Sequence, residues 1–141
     1  MASLALAQAI TIAEATLDRG RAAGYKPLTV AVLDPGGNVK VLLRDDDSDF
    51  LRPDIAIAKA WGALGMGMSS RALGDLAADR PQFMASLAAL AEGKVVPAAG
   101  GVLVRNPDGA VVGAVGVSGD VSDNDEECAL HGVEAAGLTV A

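Results

Sequence analysis

The sequence has few aromatic residues, one cysteine and one histidine. Aromatic residues make up only 3% of its 141 residues. Because a disulfide needs two thiols, no internal disulfide can form, and a zinc site built on paired cysteines is excluded. A single thiol is typical of proteins in a reducing compartment, so we expect a cytoplasmic protein.

The sequence also lacks an excess of positive charge. Eleven lysines and arginines stand against 18 aspartates and glutamates, which gives a net charge of −7. Such a surface repels phosphate backbones and anionic lipids, so we expect neither a nucleic-acid partner nor a membrane partner. No uncharged run is long enough to cross a bilayer, and the apolar N-terminal stretch lacks the basic region of a signal peptide.

What is abundant is small apolar side chains. Hydrophobic residues make up 51% of the chain, mostly as alanine, valine and leucine. A chain of about 150 residues buries roughly 70% of its unfolded surface, so a core can form without disulfides or a structural metal. No segment resembles a linker, and we therefore expect a single domain over residues 1–141.

The first long segment is predicted to be a helix, from Ser3 as N-cap to about residue 23, with Gly20 and Gly24 as candidate exits. Its polar residues recur at steps of three or four and form one narrow stripe. One sheet face cannot cover so much apolar circumference, so we expect this helix to contact another subunit. The polar positions are Gln8, Thr11, Glu14, Asp18 and Arg21.

Two pairs of β-rich segments predict two hairpins. Residues 28–33 and 39–44 flank a Pro-Gly-Gly turn, and residues 101–105 and 110–118 flank an Asn-Pro-Asp-Gly turn. Consecutive hairpins with helices between them indicate a mostly antiparallel sheet in an α+β domain.

Helices are predicted between the hairpins and after the second one. Pro53 and Pro81 have the fixed φ of a first helical turn. Ser69 or Ser70 is a candidate N-cap, and Gly137 is a candidate C-cap. The predicted helices are residues 55–64, 70–78, 81–90 and 123–136.

The end of the second hairpin and the start of the last helix carry candidate ligand groups. Gly116 and Gly119 would let a ligand approach the backbone closely, and Ser118 offers a hydroxyl beside N–H groups that could bind an anion. The carboxylates of Asp125 and Glu126 could project into the same place.

A structural interpretation of these residues is equally open. Ser122 with Asp125, and Asp123 with Glu126, are spaced as capping boxes, and acidic residues in a first helical turn favour the helix dipole. Close packing of a strand against a helix would explain the glycines as well.

Lys59 is the one charge in the otherwise apolar segment 55–61. There it could bind a carboxylate or propionate, with Arg44 at a strand end as a second cation, while Trp61 and Met66 could form an apolar ligand wall. The structural alternatives are a lysine whose charged end reaches solvent and ordinary core packing of the apolar residues.

His131 lies three residues after Cys128 in the last predicted helix. Side chains at positions i and i+3 can face the same way, and histidine is a common haem ligand. We therefore keep His131 as a candidate metal ligand, beside the alternative of a surface or packing residue. Weaker candidates are Tyr25, Met66, Met68 and Met84.

Four segments of the chain form a recognisable set. Residues 52–61 are Arg-Pro-Asp-Ile-Ala-Ile-Ala-Lys-Ala-Trp in a predicted helix, and residues 100–104 and 113–119 are the strand segments Gly-Gly-Val-Leu-Val and Gly-Ala-Val-Gly-Val-Ser-Gly. Residues 125–129 are Asp-Glu-Glu-Cys-Ala, near the start of the last predicted helix. Together these segments resemble the helix, strand and last-helix motifs of the GlcG/HbpS family of haem-binding or haem-degrading domains.

The resemblance implies a profilin-like α/β/α sandwich with a five-stranded antiparallel sheet, and homo-oligomers built from dimers. It also implies binding of haem or a related tetrapyrrole, with weak haem degradation as an added activity. In that hypothesis Lys59 and Arg44 pair with propionates, and His131 or a methionine approaches the iron.

The alternative hypothesis is a metal-independent enzyme or accessory protein that acts on a small oxygenated or carboxylated metabolite. Lys59 would anchor or activate the substrate, and Asp125 or Glu126 would move protons. The amides of residues 116–119 would hold an oxyanion.

Overall fold

The computed structural model describes residues 2–140, which form one antiparallel sheet between two helical layers. The strands are β1 (Thr29–Leu33), β2 (Val39–Arg44), β3 (Gly101–Arg105), β4 (Val111–Ser118) and β5 (Thr139–Val140). The helices are α1 (Leu6–Ala23), α2 (Arg52–Met66), α3 (Ser70–Asp79), α4 (Pro81–Leu90) and α5 (Ser122–Ala135). The α+β class and the five-stranded antiparallel sheet are confirmed.

The sheet has the order β2-β1-β4-β3-β5, and every neighbouring pair is antiparallel. Both predicted hairpins are present as β1-β2 and β3-β4. The short edge strand β5 has no counterpart among the segments that the pattern analysis identified, because two residues after a helix carry no measurable alternation. Among residues 2–140, no helix combines the length and apolarity that a membrane span requires.

The two faces of the sheet carry different cores. Helices α1 and α5 pack against each other and against one face, over a core that includes Ile12, Val30, Val115 and Val117. Helix α2 packs on the other face over a smaller cluster with Ala60, Ala63 and Ala114 at its centre. The abundance of alanine and valine therefore serves close helix-on-sheet packing.

Helix α1 begins later than predicted, at Leu6 rather than after Ser3, which does not cap it. The reason is Leu4, whose side chain is buried and whose N–H donates to the carbonyl of Val112. This bond holds the segment before the helix against β4. The predicted exit is confirmed, because Gly24 adopts a left-handed φ of 74° at the C-cap.

The start of α5 also differs from the sequence-based interpretation. Val121 is the N-cap residue and no side chain caps the helix, so neither predicted capping box forms. Asp125 turns inward instead and accepts a hydrogen bond from the N–H of Asp120. Ser69, by contrast, caps α3 as predicted by accepting from the N–H of Ala72.

Candidate functional site

A buried ion pair lies where α2, β4 and the start of α5 meet. The Lys59 ammonium donates to Asp125 Oδ2 at 3.2 Å and to the carbonyl of Val117 at 2.9 Å. The two side chains are 3% and 1% exposed, so both are fully removed from solvent. Two residues that the sequence analysis proposed as partners are thus in direct contact, because α2 and α5 begin at the same end of the sheet.

Burial opposes both charges of this pair. Desolvation lowers the pKa of Lys59 and raises the pKa of Asp125, while their mutual attraction acts in the opposite direction on each. Gly100 closes the pair from the side, since a Cβ there would press on the Lys59 ammonium. Neither charged group lines any of five surface cavities found among residues 2–140.

Arg52 brings a second cation to this end of the sheet. Its guanidinium donates to Ser118 Oγ at 3.1 Å, and its charge acts on both Lys59 and Asp125. Arg52 also forms a loose ion pair with Asp49, whose exposed carboxylate oxygen Oδ2 lies 3.9 Å from the Arg52 Nε. The Arg52 side chain is 30% exposed, so an anion from solvent can reach its guanidinium in competition with Asp49.

An open apolar cavity of about 420 Å³ lies beside Arg52. We call it the Phe50 cavity. The Phe50 side chain is 86% exposed and Leu51 is 57% exposed, which is unusual for such large apolar residues. The lining residues are Asp49, Phe50, Leu51, Arg52 and Ile55.

This cavity was not predicted from the sequence, where Phe50, Leu51 and Arg52 were given no role in binding. The available signal was a pair of large apolar residues placed between an acidic loop and an Arg-Pro helix start. Only the structure shows that both of these residues are exposed.

The glycines proposed to admit a ligand are filled by the protein itself. A Cβ at Gly116 would overlap the carbonyl oxygen of Ala56 in α2, and one at Gly119 would overlap that of Pro27. Ser118 is buried and occupied by Arg52. This end of β4 is therefore a place of close helix-to-strand packing.

Glu126 and Arg44 point away from the buried pair. Glu126 accepts from Arg71 of α3 at 3.1 Å, in a surface network that also includes Asp123. Arg44 is exposed and donates to the carbonyl of Ser48 within its own loop. The structure does not bring either of them to Lys59.

Trp61 separates two further cavities on the outer side of α2, of about 310 and 210 Å³. Its ring also lies under the ammonium of Lys94, at 5.9 Å from the ring centroid. Trp61, Met66 and Met68 all pack against a small cluster formed by Leu73, Met84 and Val95. The proposed apolar wall of Trp61 and Met66 therefore also belongs to this small core.

His131 is exposed on α5 and lines none of the five cavities. The acidic Glu127 lies one turn before it, bound to Arg19 and Tyr25. Cys128 is buried, and burial raises the pKa of its thiol to about 11. Within residues 2–140, no group of three or more histidine, cysteine or acidic side chains is arranged to hold a metal ion.

Comparisons with known proteins agree with this architecture. A family model described as haem degrading protein HbpS-like matches residues 4–134. A crystal structure of PduOC in complex with haem has a TM-score of 0.87 and 26% identity, over 96% of each chain. A double mutant of HbpS from Streptomyces reticuli has a TM-score of 0.83 and 30% identity, over 95% of this chain and 87% of that one.

A third solved structure, the ORFY protein of Klebsiella pneumoniae, has a TM-score of 0.88 at 24% identity, over 97% of this chain and 92% of that one. At this identity the likeness shows the shared fold. A search of the curated proteins finds no match.

Proposed function

Because the chain belongs to the HbpS-like family, we propose that it binds haem or a related tetrapyrrole, and that the Phe50 cavity is the place where the ring lies. The observation that carries this proposal is the exposed pair Phe50 and Leu51 next to a guanidinium that is anchored by Ser118. A tetrapyrrole is a flat apolar ring with carboxylates at one edge, and this surface offers a counterpart to both parts.

The apolar part of the cavity fits the ring. Phe50, Leu51 and Ile55 lie within one stretch of chain at the start of α2, and the phenyl ring of Phe50 is free to stack. Fully burying one such side chain contributes about 1.5–3 kcal/mol.

The polar part of the cavity fits a propionate that displaces Asp49, the exposed carboxylate 3.9 Å from the Arg52 Nε. Arg52 provides a planar guanidinium, which binds carboxylates in a bidentate manner better than lysine does. The hydrogen bond to Ser118 holds the guanidinium of Arg52 at the start of α2. The partial positive charge of a helix N-terminus attracts an anion to the same place. Arg52 therefore takes the role that the sequence analysis assigned to Lys59 and Arg44.

The iron is the part of haem that this cavity does not fit. Bound haem supplies a redox-active iron, yet His131 and the methionines considered as ligands do not line the Phe50 cavity. We therefore propose binding through the ring and its carboxylates, and we derive no degradation step. A metal-independent enzyme using Lys59 and Asp125 has less support, because that pair is buried and its two groups are hydrogen-bonded to each other and to backbone groups.

The first test is a titration of the purified protein with hemin, followed by the Soret absorbance. We expect saturable binding by the wild-type chain and a loss of affinity of about tenfold or more for Phe50→Ser. The matched control is Phe83→Ser, which removes a 38% exposed ring on α4 and should leave the affinity unchanged. Equal affinities for the wild-type chain and Phe50→Ser would exclude the Phe50 cavity as the site.

The second test addresses the carboxylates. Arg52→Gln should weaken hemin binding roughly threefold to fivefold, because a partly exposed ion pair contributes up to about 1 kcal/mol. The control is Arg80→Gln, which removes an exposed guanidinium at the junction between α3 and α4. Binding that is equally sensitive to both substitutions would show a general charge effect and contradict a specific role of Arg52.

A further inference from the structure

A second cavity of about 310 Å³ lies between α2 and the turn that follows α4, and we call it the Trp61 groove. It is separate from the Phe50 cavity, since the two share no lining residue. Nothing in the proposed tetrapyrrole site uses it. Its lining residues are Asp54, Ile57, Ala58, Trp61, Glu92, Gly93 and Lys94.

One wall of the Trp61 groove is a stripe along α2. Asp54, Ile57, Ala58 and Trp61 are spaced as i, i+3, i+4 and i+7, so they lie on the same helical face. With a rise of 1.5 Å per residue, the carboxylate end and the indole end are about 10 Å apart along the axis. The middle of this wall is apolar.

The other wall is a tight turn held in an unusual conformation. Glu92 has a φ of 56° and Gly93 a φ of 78°, and a left-handed non-glycine residue costs about 1–3 kcal/mol. The turn is fixed to the end of α4 by hydrogen bonds from the N–H groups of Gly93 and Lys94 to the carbonyls of Ala88 and Ala91. This conformation places Lys94 over the Trp61 ring.

The two ends of the groove carry opposite charges. A cation, Lys94, lies at the indole end, and the carboxylate of Asp54 lies at the opposite end of the α2 stripe. Glu92 adds a second carboxylate to the rim. Among the ion pairs found within residues 2–140, none includes any of these three residues.

We propose that the Trp61 groove binds a small zwitterion whose ammonium and carboxylate are separated by an apolar chain, as in ω-aminocarboxylates. The ligand ammonium pairs with Asp54, its methylene chain lies along Ile57 and Ala58, and its carboxylate meets Lys94 beside Trp61. Because the groove itself has two carboxylates and one ammonium, it disfavours a ligand that carries only negative charge. The separation of the charges disfavours an α-amino acid, whose two charged groups are adjacent.

The test uses Trp61 itself, because it is the only tryptophan in the chain. Titration with ε-aminocaproate should give a saturable change in tryptophan fluorescence at millimolar concentrations and a matching heat in calorimetry. Hexylamine and caproate each carry one of the two charges, and we expect each to bind at least tenfold more weakly.

Variants then assign the two ends. Lys94→Gln and Asp54→Asn should each weaken ε-aminocaproate binding by about tenfold, while the exposed control substitutions Lys26→Gln and Asp108→Asn should leave it unchanged. Phe50→Ser should also leave it unchanged, so that failure of the tetrapyrrole proposal and failure of this one remain distinguishable. Melting curves establish that each variant is folded.

Three results would overturn the proposal. One is the absence of both a fluorescence change and a binding heat at millimolar ε-aminocaproate. Another is caproate or hexylamine binding as tightly as the zwitterion. The third is unchanged binding by Lys94→Gln and Asp54→Asn.

Discussion

The buried pair Lys59 and Asp125 joins the start of α5 to the middle of α2, and single substitutions there should be costly. Asp125→Asn leaves the Lys59 ammonium buried with only the Val117 carbonyl as a strong partner. Removing one member of a buried ion pair costs about 3–5 kcal/mol. We expect a loss of that size in the free energy of unfolding, measured by urea denaturation.

The matched comparison is the double variant Lys59→Met with Asp125→Leu. It removes both charges and keeps similar volumes, so it should recover most of the stability lost by Asp125→Asn. The double variant could instead lose as much free energy of unfolding as Lys59→Met and Asp125→Leu lose together. That result would contradict the explanation that each single substitution is costly because it leaves one buried charge without its partner.

Cys128 should make the protein sensitive to alkaline pH. Burial raises the pKa of its thiol from 9.0 to about 11, so the folded state keeps the proton that the unfolded chain loses. The stabilisation from the neutral thiol is complete below pH 9 and is lost as the pH rises towards 11. The stability difference between the wild-type chain and Cys128→Ala, measured by chemical denaturation, should therefore shrink across this window.

Cys128→Ala separates the thiol from the other groups that titrate in this range, Tyr25 among them, because those groups are common to both proteins. A stability difference that stays constant from pH 8 to pH 11 would contradict the proposed linkage.

At the scale of elements, the contact between α2 and β4 depends on the absence of a side chain at Gly116. A Cβ there would overlap the carbonyl oxygen of Ala56, and backbone atoms cannot move aside as a flexible side chain can. We expect Gly116→Ala to lower the free energy of unfolding by several kcal/mol. Overpacking forces the backbone to move, which costs about 1–3 kcal/mol or more.

The control for this effect is Gly65→Ala in the last turn of α2, where a Cβ would meet nothing within 4 Å. Alanine is favoured over glycine in a helix by about 1 kcal/mol, so this variant should be slightly more stable than the wild-type chain. Similar destabilisation by the two substitutions would argue against the packing explanation.

Most of the elements could be predicted from the sequence because their signals are local. The residues of β2 and β3, the Ser69 cap and the Gly24 exit follow from turn chemistry and alternation, and the structure confirms them. The start of α1 could not be predicted in this way. It depends on Leu4 bonding to Val112, more than a hundred residues away along the chain.

The candidate site could likewise be predicted only in part. The enzyme hypothesis placed Lys59 in one site with Asp125 or Glu126, and the structure brings Lys59 and Asp125 into contact. Their burial, and the exposure of Phe50 and Leu51, depend on how α2 and its preceding loop lie on the sheet. No pattern within the loop distinguishes an exposed phenylalanine from a buried one.

At the scale of the whole molecule, the expectation of a homo-oligomer stays a prediction. Helix α1 leaves Leu6 and Ile10 exposed one turn apart, at 55% and 39%, whereas its other large apolar side chains, Ile12 and Leu17, are buried. The double variant Leu6→Gln with Ile10→Gln should therefore lower the mass measured by light scattering at a given concentration.

The corresponding control is Leu90→Gln, which changes an 83% exposed leucine at the end of α4 and should not alter the mass. A wild-type chain that is monomeric at every concentration would contradict the prediction. So would an equal effect of the control substitution.

The central claim is that the Phe50 cavity holds a tetrapyrrole by its ring and carboxylates, with no protein ligand to the metal. The most direct measurement is the ratio of the dissociation constants for haem and iron-free protoporphyrin, determined by equilibrium titration of the same preparation. The claim predicts two constants within about threefold of each other, and the same constants for His131→Ala. Tight binding of haem with no binding of the iron-free ring would contradict it.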